Sequence, residues 1–148
     1  MENVFMRAAL NEAKRCLTDG EVPVGAVIVK DGTIIATGRN RRETDKNVLR
    51  HAEIEAIDKA CRLLGGWRLQ GCDLYVTLEP CPMCAGAAIN ARIKTVYFGA
   101  YDSKAGSFGS VADFSTLPYN HRPEIIGGVM EQECGNLLTD FFNRLRNK

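Results

Sequence analysis

The chain has 148 residues, 45% of them hydrophobic, which suits a single domain spanning residues 1–148 with a sizeable core. Lysine and arginine total 19 against 18 for aspartate and glutamate, a net charge of +1, and this excludes a protein that grips long runs of backbone phosphate. No apolar run reaches bilayer length, and residues 1–7 lack a basic stretch leading into an apolar one, so a cytoplasmic protein without a signal peptide is expected.

In chain order, Phe5, Met6, Ala9, Leu10, Ala13 and Leu17 mark one face of a helix over residues 3–18, which Gly20 stops. Residues 24–30 and 33–39 are β-rich, and Asp31-Gly32 between them is the preferred two-residue hairpin turn. A helix is predicted over 51–64, with Ile54, Ile57, Cys61 and Leu64 buried and Gly65-Gly66 as its end. A strand over 73–78, a short helix of small residues over 82–91, and strands over 95–99 and 124–129 follow. The last helix places Cys134, Leu137, Leu138, Phe141, Phe142 and Leu145 on one stripe. Between them, residues 100–123 form the longest stretch without periodicity, and a loop of that length in a small domain is usually functional. Helices interleaved with five short strands, two of them in a hairpin, predict an α/β fold: a three-layer α-β-α sandwich around a mixed sheet of about five strands.

Two segments carry chemistry. His51-Ala52-Glu53 and Pro80-Cys81-Pro82-Met83-Cys84 each open a predicted helix. A Cys-x-x-Cys pair in a first helical turn can place two sulfurs on one metal, and the unpaired N–H groups there favour thiolates. In a reducing cytosol the six cysteines are thiols or ligands rather than disulfides. Imidazole from His51 with two thiolates suits one Zn2+ per chain, and three protein ligands leave a fourth position for water. Side chains two apart on a helix point to different sides, so His51 and Glu53 converge only on a site beyond the helix end. There Glu53 can take a proton from water and pass it to a substrate nitrogen. A redox pair, or a structural zinc completed by Cys72, Cys134 or His121, is the alternative reading. Arg39, Arg41 and Arg42 with Arg50, and Arg144 and Arg146 with Lys148, are either local nucleic-acid contacts or ordinary solvated charge.

The His-x-Glu and Pro-Cys-x-x-Cys pattern resembles the signature of the zinc cytidine and nucleobase deaminases. Residues 21–27 and 74–81, the loops Gly99–Lys104 and Asn120–Arg122, and the final helix 141–146 resemble the tRNA-specific adenosine deaminases of bacteria over nearly the whole chain. That resemblance implies a cytidine deaminase-like fold, a homodimer, and conversion of the wobble adenosine of a tRNA anticodon stem-loop to inosine. It further implies His51, Cys81 and Cys84 as zinc ligands, Glu53 as the proton shuttle beside a zinc-activated water, and Asn40, Asp102 and Lys104 as substrate contacts. No organic cofactor and no membrane partner is implied. Arg50, directly before His51, puts a charge beside the expected pocket. Two other functions share parts of the pattern: a deaminase of a free guanine- or cytosine-type base or nucleoside, and a zinc-stabilised RNA-binding module without catalysis.

Overall fold

A computed structural model describes residues 1–147; Lys148, counted above in the C-terminal basic cluster, lies outside the described residues. Strands β1 (Gly25–Lys30) and β2 (Thr33–Arg39) form the expected hairpin. Asp31 and Gly32 take φ of 50° and 76°, as a type I′ turn requires. β1 pairs antiparallel with β3 (Cys72–Leu78) on its other side, while β3, β4 (Thr95–Ala100) and β5 (Glu124–Ile126) run parallel. The result is a mixed five-stranded sheet in the order β2-β1-β3-β4-β5.

Four α-helices cover the sheet: α1 (Val4–Arg15), α2 (Ala52–Leu64), α3 (Pro82–Asn90) and α4 (Glu131–Arg146). Alternation along the strands sends side chains to opposite faces, and this sorts the core into two halves. Ala26 and Ile28 of β1 join Leu74 and Val76 of β3 in packing against α2 and α3. Val27, Val29 and Tyr75 pack instead against α1 and α4. The molecule is therefore the expected three-layer sandwich.

Two helices depart from the burial that the periodicity predicts: α2 turns a partly different face inward, and α4 covers only part of its predicted stripe. On α2 the buried residues are Ala52, Glu53, Ala56, Ile57 and Ala60, while Ile54 and Cys61 are half-buried and Leu64 is exposed. The cause lies in β2. A methyl group added to Gly38 would collide with the Ala52 carbonyl oxygen and the Ala56 nitrogen, so strand and helix backbones meet and only alanines fit between them. On α4 only Cys134 is buried, and Phe142 and Leu145 stay exposed. Helix α1 ends three residues early, tightening into a 3-10 turn over Cys16–Asp19.

Register places the ends of the strands. Gly25 faces Arg39, Ala26 faces Val76, and Leu78 faces Ala100, so the carboxyl ends of β2, β3 and β4 share one edge of the sheet. The N-termini of α2 and α3 begin over that edge. Such an edge, outside the carboxyl ends of strands, is where open α/β sheets bind ligands.

Candidate active site

His51 is the residue before the first turn of α2, in extended conformation, and Cys81 holds the same place before α3. Pro82 follows Cys81 at the first helical position, where its missing N–H costs nothing, and Cys84 lies in the same turn. His51 Nδ1 is 3.6 Å from Cys81 Sγ and 3.5 Å from Cys84 Sγ. The three ligand atoms lie within 4.8 Å of one another. Zinc bonds of ~2.3 Å to sulfur and ~2.0–2.1 Å to nitrogen at a tetrahedral angle set a sulfur and a nitrogen ~3.6 Å apart, so the cluster fits that ion. Among the described residues, no Cys72, Cys134 or His121 joins the cluster. His121 Nε2 meets the Ile93 carbonyl instead, and Cys72 and Cys134 are buried in the core. A structural zinc closed by a fourth of those side chains is thereby excluded.

The two thiols and the imidazole lie close enough to shift one another's protonation. A hydrogen bond from the Cys84 thiol, with further help from His51, holds the Cys81 thiol down at about 4, and the same contact pushes the Cys84 thiol up. The hydrogen bond to Cys81 raises His51. Glu53, in the first turn of α2, is only 4% exposed. Burial pushes its carboxyl up to about 7, against the opposing pull of its own backbone N–H and of His51. A carboxyl poised there populates both protonation states near neutrality.

A cavity of about 210 Å³ opens above these groups, lined among others by Val22, Val24, Leu78 and Ala105 with His51, Glu53 and Cys81 at its base. Asn40 and Asp102 line it too; Lys104 does not, standing exposed on the loop beyond. Asn40 Nδ2 donates to the Val22 carbonyl and its Oδ1 accepts the Arg42 N–H, so the amide is held with its remaining hydrogen and lone pair to spare. Asp102 Oδ1 accepts the N–H groups of Lys104 and Ala105, which shapes the loop around it.

The charge beside the pocket is not the one the sequence pointed to. Arg50 and Arg41 both lean on Asp45, at 3.7 and 3.9 Å, and the arginine on the cavity wall is Arg42. Two buried acids also escaped the sequence reading. Glu21 accepts the N–H groups of Glu43 and Thr44, and Glu79 those of Asp102, Phe108 and Ser110. The only local signal is an acid flanking an apolar strand, before β1 for Glu21 and after β3 for Glu79, which by itself reads as exposed.

Residues 1–100 match the model of the cytidine and deoxycytidylate deaminase zinc-binding region. Over 148 residues the chain is 49% identical to the tRNA-specific adenosine deaminase of Bacillus subtilis (strain 168), spanning 99% of this chain and 92% of that one. The tRNA-specific adenosine deaminase of Aquifex aeolicus (strain VF5) is 48% identical over 144 residues, covering 97% and 95%. A solved structure from studies of A-to-I editing by tRNA:A34 deaminases at the wobble position of transfer RNA superposes with a TM-score of 0.89. It is 46% identical to this chain, over 93% of this chain and 100% of that one.

Proposed function

The chain belongs to the cytidine and deoxycytidylate deaminase family, within its tRNA-specific adenosine deaminase branch, and we propose that it hydrolyses the wobble adenosine of a tRNA anticodon to inosine and ammonia. One observation carries the reading: a His-Cys-Cys cluster of zinc dimensions lies at the base of a cavity beside a buried glutamate whose carboxyl stands near neutrality.

His51, Cys81 and Cys84 would hold the zinc ion, which when bound lowers the pKa of water to about 7 and so supplies a nucleophile at neutral pH. Glu53 moves the protons. It gives one to N1 of adenine, which makes C6 electrophilic toward water, and it takes one from that water. It then takes the second proton, from the oxygen now on C6, and delivers it to the amine, so that ammonia leaves as the C6 carbonyl forms. Water thus contributes the oxygen of inosine, and Glu53 ends the cycle as it began.

The cavity, at about 210 Å³, is smaller than the ~300–1,000 Å³ of sites that enclose a drug-sized ligand. It admits one base, while ribose and phosphates stay outside. Asn40 and Asp102 would contact the nucleoside at the mouth, and Lys104 the neighbouring nucleotides. An anticodon loop is already unpaired, so turning its base outward costs little, and a few splayed nucleotides are read by shape and stacking without a large basic face. This reconciles an RNA substrate with a net charge of +1. The same reading makes the protein one cytoplasmic domain acting as a homodimer. Exposed Val111, Leu117 and Tyr119 give a second copy apolar surface to cover.

The test is incubation with an anticodon stem-loop bearing adenosine at the wobble position, followed by an inosine assay, with Glu53→Ala as control. Inosine from the wild type and none from the variant is the expected result. Turnover of free guanine or cytosine with none of the stem-loop would overturn it, as would tight stem-loop binding without inosine.

A further inference from the structure

Glu79 stands two residues before Cys81, between β3 and α3, and is 2% exposed. Its carboxylate oxygens accept four hydrogen bonds, all from one loop. Oε1 takes the Asp102 N–H at 3.0 Å and the Ser110 hydroxyl at 2.5 Å. Oε2 takes the Phe108 N–H at 3.2 Å and the Ser110 N–H at 3.0 Å. The backbone on either side is stitched to the same segment: the Glu79 N–H donates to the Ala100 carbonyl, and the Pro80 carbonyl accepts the Ser107 N–H. Gly106 completes the fit, since a methyl group there would overlap the Glu79 carboxylate.

Such an arrangement is more than a satisfied buried charge. The segment that begins with Glu79 carries Cys81 and Cys84, and the loop it holds carries Asp102 and Ala105, which line the cavity together with Cys81 and Glu79 itself. The Glu79 side chain, together with the flanking backbone bonds, therefore ties these two walls of the pocket to each other. Three of the four donors are backbone N–H groups, which no rotamer change can redirect, so a shift of the carboxylate moves the loop itself.

We propose that Glu79 is a positioning residue for the substrate: it indexes the loop over residues 102–110 to the metal-bearing helix and so determines how tightly the pocket mouth grips the extruded nucleoside. The proposal rests on the deaminase reading above. It predicts a specific pattern. Glu79→Gln turns one acceptor into a donor facing donors, and Gly106→Ala displaces the same carboxylate without altering its charge. Both loosen the rim and leave His51, Glu53, Cys81 and Cys84 in place.

The experiment uses the zinc-loaded protein and a fluorescent anticodon stem-loop with a wobble adenosine, reading Kd by anisotropy, KM and kcat by inosine formation, and zinc by metal analysis. Expected are one zinc per chain in every variant, and Kd and KM raised about tenfold in both Glu79→Gln and Gly106→Ala, the loss of one charge-assisted hydrogen bond. The double variant should stay near tenfold, since both changes release one contact, and independent effects would multiply to about a hundredfold. Ser110→Ala removes a single donor and gives a smaller rise in KM, which keeps the test open if Glu79→Gln does not fold. A merely structural Glu79 would reduce the folded fraction, lowering apparent kcat with KM unchanged; that result, loss of zinc, or multiplicative effects overturns the proposal. Absence of inosine from the wild type would instead strike at the deaminase reading, which separates the two failures.

Discussion

The floor of the pocket and the loops that frame it both contain buried glutamates, and they are treated in opposite ways. On the floor, burial raises the Glu53 carboxyl to about 7. In the frame, burial also works against the Glu21 carboxylate, but the Thr44 side chain and the N–H groups of Thr44 and Glu43 outweigh it and hold the group below its ordinary value. Glu79 has four donors aimed at its carboxyl oxygens. The difference is the number of fixed donors aimed at the charge. A carboxylate ringed by N–H groups keeps its charge and anchors a loop; one left among apolar and sulfur neighbours can exchange a proton. Burial alone therefore does not identify a catalytic acid in this molecule.

The sharpest way to break the comparison is to empty the floor. Stripping zinc with a chelator, or replacing Cys81 with Ala, should abolish inosine formation, and added zinc should restore only the stripped wild type, as followed by metal analysis alongside the assay. Next in size is Glu53→Gln, expected to lower kcat by about 10²–10⁴-fold, the range that general acid–base groups contribute, with zinc still bound. Loss of zinc in that variant would move Glu53 from the proton relay to the metal. A third expectation concerns the support beneath the floor. Gly38→Ala pushes α2, which carries His51 and Glu53, off the sheet, and thermal or urea unfolding should show destabilisation of ~1–3 kcal/mol.

The smallest effect separates the two kinds of glutamate by sign. In zinc-free protein Glu53 keeps its proton in the folded state between its ordinary 4.5 and about 7, whereas the unfolded chain has lost it. Wild-type stability therefore falls as pH rises through that window, and Glu53→Gln should gain on the wild type across it by on the order of 3 kcal/mol. Glu21 is depressed, so its contribution is present above 4.5 and fades as pH drops. Glu21→Gln should accordingly cost stability at neutral pH, and the deficit should shrink on acidification. Urea unfolding at several pH values measures both differences, and equal signs would erase the distinction between floor and frame.

Much of this is legible in the sequence. The hairpin follows from Asp31-Gly32, because both positions need positive φ. The metal cluster follows from Cys81 and Cys84 within one turn, and from a His-x-Glu at a helix start whose members can converge only beyond the helix end. These signals work over a few residues, where covalent geometry leaves little freedom. The bounds of β1 to β4 follow to within a residue for the same reason, whereas β5 stops at Ile126, three residues short of the expected end.

What remained hidden depended on contacts between distant parts of the chain. Which face of α2 is buried was decided by Gly38 on another element, not by the spacing of Ile54, Ile57, Cys61 and Leu64. Arg42 on the cavity wall, Arg50 turned to Asp45, and Lys104 outside the pocket all reflect how two loops come to lie across one edge of the sheet. Glu79 shows the limit most clearly, since its partners stand 23 to 31 positions away. The sequence alone marked the residues that the proposed reading assigns to the metal and to the proton. Only the folded sheet, by setting the order β2-β1-β3-β4-β5, decided which carboxylates meet backbone donors and which stay free to react.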